Sequence, residues 1–103
     1  MIEINTENFE ELMVSERPLI IDFWAEWCGP CKAISPMIEN LAHEYEGRIH
    51  IGKCDVEENN DLAVHFKIRN VPTLLFIKDG NVVDQQIGAV SRDMIIAKIN
   101  KLL

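Results

Sequence analysis

Apolar and polar positions along this chain change period several times, and each change marks an element. Ile2 and Ile4 flank Glu3, the alternation of a short first strand. Thr6 can cap a short helix whose inner face is Phe9, Leu12 and Met13. Residues 15–18 end it, and Pro18 returns the chain to extended geometry because its ring disfavours the helical conformation one residue upstream. Leu19-Ile20-Ile21-Asp22-Phe23-Trp24 is almost continuously apolar, the pattern of a strand covered on both faces at the centre of an α/β sheet. Over residues 32–45, Ile34, Met37, Ile38, Leu41 and Tyr45 recur at helical spacing as a single buried stripe. Pro36 falls inside that helix, removes a backbone hydrogen bond and is expected to kink it, and Gly47 is its stop.

Residues 48–56 read as a third strand, and residues 57–61 as an acidic turn suited to opening a short helix over residues 62–66. An irregular connection over residues 68–73 leads to a fourth strand, Leu74-Leu75-Phe76-Ile77. Asp79-Gly80 is a strong tight-turn signal, which makes residues 82–87 the hairpin partner. Gly88 interrupts the strand pattern, and Ser91 caps a last helix with Ile95, Ile99 and Leu102 on one face. No repeat, low-complexity tract or linker divides the chain. The order βαβαβαββα predicts an α/β fold: a mixed sheet of about five strands, parallel crossovers first and an antiparallel hairpin last, flanked by about four helices on both faces.

Composition narrows what such a fold does. The 103 residues suit one domain over positions 1–103, and 48% apolar content fills a core without staples. The formal charge is −7, from 10 Lys+Arg against 17 Asp+Glu, with no basic cluster, so nucleic acid is not an expected partner. No apolar run approaches the roughly 20 residues of a bilayer span, so no membrane association is expected. Met1-Ile2-Glu3-Ile4-Asn5 has neither a basic leader nor a long apolar stretch, which predicts no secretory signal and a cytoplasmic product. Three cysteines are an odd count, ill-suited to a disulfide scaffold and better suited to a reducing compartment.

The candidate chemistry is Trp27-Cys28-Gly29-Pro30-Cys31, at the handover from the second strand to the long helix. Unpaired N–H groups and the positive end of the helix dipole stabilise a thiolate there. A Cys-x-x-Cys pair is a redox couple, half of a zinc site, or two packed cysteines. Zinc needs about four ligands, yet the only other cysteine is Cys54, and His43, His50 and His65 fit no ligand spacing with the pair. Gly29-Pro30 would be an odd start for a passively buried helix. Dithiol redox chemistry is the favoured reading, because two intervening residues bring the sulfurs within bonding reach and Pro30 has no N–H to lose in a first helical turn. Without a charge or a histidine between the thiols, the thiolate gains only modest extra stabilisation, which favours a reductant. Asp22 is either a carboxylate facing water from a strand edge or a buried acid with a raised pKa. Lys53 alone reads as a surface residue, Pro72 as an ordinary trans loop proline, and Gly88 as a bulge or a point of close backbone approach.

Phe23-Trp24-Ala25-Glu26-Trp27-Cys28-Gly29-Pro30-Cys31-Lys32 resembles the active-site signature of the thioredoxin family. Asp22, Pro36, Lys53, Val71-Pro72-Thr73, Asp79-Gly80 and Gly88 fit the same pattern, so the resemblance spans essentially the whole chain. It implies the thioredoxin fold and a protein-disulfide reductase. Cys28 would be the exposed nucleophile, Cys31 the buried resolving thiol, with Gly29 and Pro30 shaping the turn between them. Asp22 would take a proton from Cys31 through water, and Lys53 would partner that acid. Pro72 would be a cis proline facing the disulfide, and Val71 would offer backbone groups to an extended substrate segment. Trp27, Val71, Pro72 and Gly88 would form a flat apolar patch around the sulfur, with Trp27 shielding it.

The resemblance further implies a monomer without a bound cofactor, reduced with electrons from NADPH by a thioredoxin reductase, and acting on disulfide-containing substrate proteins. Two features depart from the pattern. Asn70 stands where a smaller residue is common, which bears on substrate preference next to Val71. Cys54 is extra, and strand alternation puts it on the face opposite Lys53, where a buried inert thiol is expected. An oxidase or isomerase on the same scaffold would favour a histidine between the cysteines; a redox-independent binding subunit is the rival from another class.

Overall fold

The computed structural model describes all 103 residues, Met1–Leu103. Its elements are β1 (Ile2–Glu3), α1 (Phe9–Met13), β2 (Leu19–Trp24), α2 (Gly29–Glu44), β3 (His50–Asp55), α3 (Asn60–His65), β4 (Thr73–Lys78), β5 (Asn81–Ile87) and α4 (Arg92–Leu102). The five strands form one mixed sheet in the order β1-β3-β2-β4-β5. β1 and β2 pair parallel to β3, while β4 runs antiparallel to both β2 and β5. Five mixed strands and four helices are the α/β architecture expected from the alternation of elements, and they match the fold that the resemblance implies.

The central strand explains the arrangement. β2 is bonded along both edges, with Ile20 opposite Ile51 on one side and Phe76 on the other. Its alternate residues serve two cores. Ile20 joins Leu74, Phe76 and the inner faces of α2 and α4 through Ile34, Ile38, Leu41, Ile95 and Ile99. Leu19, Ile21 and Phe23 pack with Leu62, Leu75 and Ile77, and with Phe9 and Phe66 from the α1 and α3 side. A near-continuous apolar run thus satisfies helices on both faces. Fully burying one such side chain contributes roughly 1.5–3 kcal/mol, so β2 is the strand the fold can least do without.

Several boundaries differ from the sequence expectation. Thr6 does not cap α1. The turn is instead made by Asn5, whose Oδ1 accepts from the Glu7 and Asn8 N–H groups at 2.9 and 3.0 Å. Asn8 occupies the cap position but directs its side chain backwards, accepting from the Asn5 N–H at 2.8 Å and donating to the Glu3 carbonyl at 2.8 Å. Asparagine forms such local turns more readily than threonine. α2 begins at Gly29, three residues before Lys32, because Pro30 is compatible with a first turn and the Cys28 sulfur accepts the Cys31 N–H at 3.2 Å. The helix runs on through Pro36 to Glu44. Asp79 and Gly80 both adopt positive φ, 53° and 80°, the turn geometry that joins β4 to β5. Ser91 caps α4 by accepting from the Met94 N–H at 3.3 Å.

One requirement had no visible sign in the sequence. β1 lies against β3 at Gly52, with Ile2 directly opposite. A Cβ at Gly52 would come 2.7 Å from Ile4 Cδ1 and 2.8 Å from the Ile2 carbonyl oxygen. The side-chain tip can turn aside, but the backbone oxygen is fixed by strand pairing. Gly52→Ala is expected to destabilise the protein by about 1–3 kcal/mol, seen as a lower urea midpoint at unchanged m-value; an unchanged midpoint would show that β1 shifts freely.

Candidate active site

β2 ends at Trp24 and α2 begins at Gly29, so Cys28 sits at the N-cap of the long helix in extended conformation, φ −90° and ψ 103°. Its sulfur takes the Cys31 N–H, one of the donors that a helix start leaves unpaired. The two cysteines are joined as a disulfide with Cα atoms 5.3 Å apart. Opening it would leave the Cys28 sulfur on that N–H and at the positive end of the α2 dipole, both of which favour the thiolate.

Cys28 was expected to be exposed and is not: in this disulfide state it is 4% exposed and Cys31 2%. Ala25, Trp24, Val56 and Val71 pack around the pair and close over both sulfurs. What separates the two cysteines is therefore their place on the helix, Cys28 at its cap and Cys31 within its first turn.

The facing wall comes from the connection before β4. The Val71–Pro72 peptide bond is cis. The Val71 carbonyl oxygen lies 3.7 Å from the Cys28 sulfur, and neither the N–H nor the C=O of Val71 has a backbone partner. Pro72 is buried, so it contributes its backbone and shape and not exposed apolar surface; its carbonyl accepts the Gly88 N–H at 2.8 Å. Gly88 has φ +85°, a conformation that favours glycine, and a Cβ there would meet nothing within 4 Å. Trp27 is 69% exposed beside the sulfurs, and its indole N–H donates to the Glu57 carboxylate. The expected flat patch is thus incomplete. Trp27 and Val71 instead border a groove of about 640 Å³ with Val56, Ala63 and Ile68 in its walls and Glu57, Arg69 and Asn70 among its polar residues.

Two residues before the end of β2, Asp22 stands on the face shared with Ile20, opposite Lys53 of β3 and Leu74 of β4. It is 2% exposed, and its Oδ1 has no hydrogen-bond partner. Burial raises its pKa from the ordinary 3.8 to about 7, with the Lys53 charge opposing part of the rise. Lys53 is its neighbour in register but closes no ion pair with it; the ammonium lies 4.9 Å from the centre of the Trp24 ring. Cys54 is fully buried on the opposite face, and its thiol is pushed up to about 12 by burial, then by Asp55 and Asp61. No three His, Cys, Asp or Glu side chains converge to hold a metal ion.

The thioredoxin family model matches residues 1–101. The chain belongs to the thioredoxin family. It is 46% identical over 100 residues to thioredoxin of Chlorobaculum thiosulfatiphilum, covering 96% of this chain and 93% of that protein. Thioredoxin C-2 of Corynebacterium nephridii is 46% identical over 102 residues, 98% of this chain and 94% of the relative. Thioredoxin of Haemophilus influenzae is 42% identical over 102 residues, 98% and 95% of the two chains. As a thioredoxin-family protein carrying this pair of cysteines, the chain is a thiol–disulfide oxidoreductase, a protein-disulfide reductase.

The buried Asp22 carboxyl carries a stability signature. Between pH 4 and 7 the native state holds the Asp22 proton while the unfolded chain has released it, so stability falls as pH rises through that window and levels off above it. Asp22→Asn is expected to remove this slope and to stabilise the protein by about 2–4 kcal/mol at pH 8, with little effect at pH 4. Urea unfolding of both proteins at the two pH values checks it; equal midpoints at pH 8 would mean that folding does not raise the Asp22 pKa.

Proposed function

We propose that Cys28 is the attacking thiol and Cys31 the resolving one in a cycle that reduces disulfides of substrate proteins. The observation that carries this reading is the place of Cys28 at the α2 cap, its sulfur on the Cys31 N–H and beside the unpaired Val71 backbone. In the reduced protein the Cys28 thiolate attacks one sulfur of a substrate disulfide. That bond breaks, the departing substrate sulfur takes a proton, and a mixed disulfide forms on Cys28. Cys31 then loses its proton and attacks the Cys28 sulfur. The second substrate thiol leaves, and the Cys28–Cys31 disulfide remains, two electrons and two protons having passed to the substrate.

Asp22 receives the Cys31 proton through water in this reading. A carboxyl raised to about 7 gives up and takes a proton readily near neutral pH, which supports the role. Lys53 limits the rise as the one positive charge acting on it. The substrate segment lies extended against Val71, using its free N–H and C=O as a strand edge, while Trp27, Pro72 and Gly88 shape the approach and Gly29 and Pro30 hold the turn. No bound cofactor is needed. The oxidised pair is re-reduced by a thioredoxin reductase with electrons from NADPH, and the setting is the cytoplasm. No helix is long and apolar enough to cross a membrane, and a lone unpaired Cys54 fits a reducing compartment.

Two experiments test the cycle. Cys31→Ser is expected to accumulate substrate proteins as mixed disulfides on Cys28, releasable by dithiothreitol; an absence of adducts, or adducts on Cys54, would overturn the assignment. The reduction potential of the pair in a Cys54→Ser background is expected near the family's about −270 mV, a family value and not one deduced from these residues. A result near about −120 to −180 mV would place the protein with oxidants and isomerases.

A further inference from the structure

Val71 is not the only residue of its loop with an unengaged polar group facing the groove. Asn70 is exposed and lines that groove with Val71, Trp27, Val56 and Ile68. The one hydrogen bond Asn70 makes is through its backbone carbonyl, which accepts from the Thr73 hydroxyl at 2.5 Å. Its carbonyl is therefore turned towards its own chain, and strand pairing along this edge would stop at Val71. Its side-chain amide is free, and it carries the same two functions as a peptide group, one carbonyl acceptor and an N–H donor.

We propose that Asn70 is a specificity-determining residue, its side-chain amide pairing with the substrate backbone one position beyond the residue held by Val71. The inference rests on the proposed seating of an extended segment on Val71. The Val71 carbonyl lies 3.7 Å from the Cys28 sulfur, so with a substrate sulfur bonded to Cys28 the flanking backbone crosses Val71 and continues past Asn70 into the groove. The groove is continuous with the disulfide at Val56 and Val71, which line the one and pack against the other. The favoured substrates are extended segments with a free backbone N–H at that position; proline there is disfavoured, because it has no donor.

The test is reduction of a disulfide-linked peptide with extended flanks, and of the same peptide N-methylated singly at each flanking position, by the unaltered protein and by Asn70→Ala. Asn70→Ala is expected to raise KM for the parent peptide about fivefold, one hydrogen bond's worth, with kcat unchanged and with unaltered reduction of hydroxyethyl disulfide, which has no backbone to read. At one flanking position, methylation is expected to cost the unaltered protein about fivefold and Asn70→Ala nothing more. An unchanged KM, or losses that multiply independently at every position, overturns the role of Asn70. Peptide capture on Cys31→Ser separates the two levels: without capture the seating on Val71 falls as well, whereas capture without the Asn70 effects removes this inference alone.

Discussion

β2 has hydrogen-bonded neighbours on both edges and helices on both faces, so nothing it carries reaches water except at its ends. That confinement underlies the rest of the molecule. It turns Asp22 from an ordinary carboxylate into an acid that titrates near neutrality, because no partner replaces the water lost at Oδ1. It also forces the chain to make its turn immediately beyond Trp24, where the strand's end meets the start of the longest helix. The cysteine pair stands beyond that exit, and the buried Asp22 lies two residues inside it. A single run of six residues thus supplies the rigidity of the fold and the electrostatics of the site.

The helix start does the complementary work. A protein interior has little to offer an anion, yet Cys28 meets a backbone donor and a favourable dipole in the same place. The wall across from it is built from groups that the fold leaves unpaired, chiefly the Val71 backbone. Unpaired backbone on an otherwise satisfied molecule is a site where another chain can add hydrogen bonds without displacing any.

Much of this was legible in the residues. Periodicity and turn signals together located every strand and helix, and Cys28-Gly29-Pro30-Cys31 announced redox chemistry once the zinc and passive-packing readings had fallen away for want of ligands and for its Gly-Pro turn. Asp22 stood out as a charge in an apolar run, although whether it faced water depended on what packed above it. Three features escaped because they belong to tertiary contacts. Gly52 is demanded by Ile2, directly opposite in the sheet, and by the Ile4 side chain, both far away in sequence. The covering of Cys28 comes from Val56 and Val71, which the motif does not contain. The Asn5 turn displaced Thr6 because two neighbouring polar residues compete for one turn, and only the backbone path decides between them.

Cys54 gives the molecule an internal witness. It lies fully covered in the core with Phe23 and Leu62, and its thiol resists ionisation. Only thiolate enters exchange, so electrons passing through the Cys28–Cys31 pair have no path to this third sulfur while the sheet stays closed. Its reactivity is therefore tied to opening of the core: a thiol-labelling reagent meets Cys54 only in those moments when β2, β3 and their covering helices come apart. The chain holds one sulfur pair that reports its electron state and one lone sulfur that reports how often it unfolds.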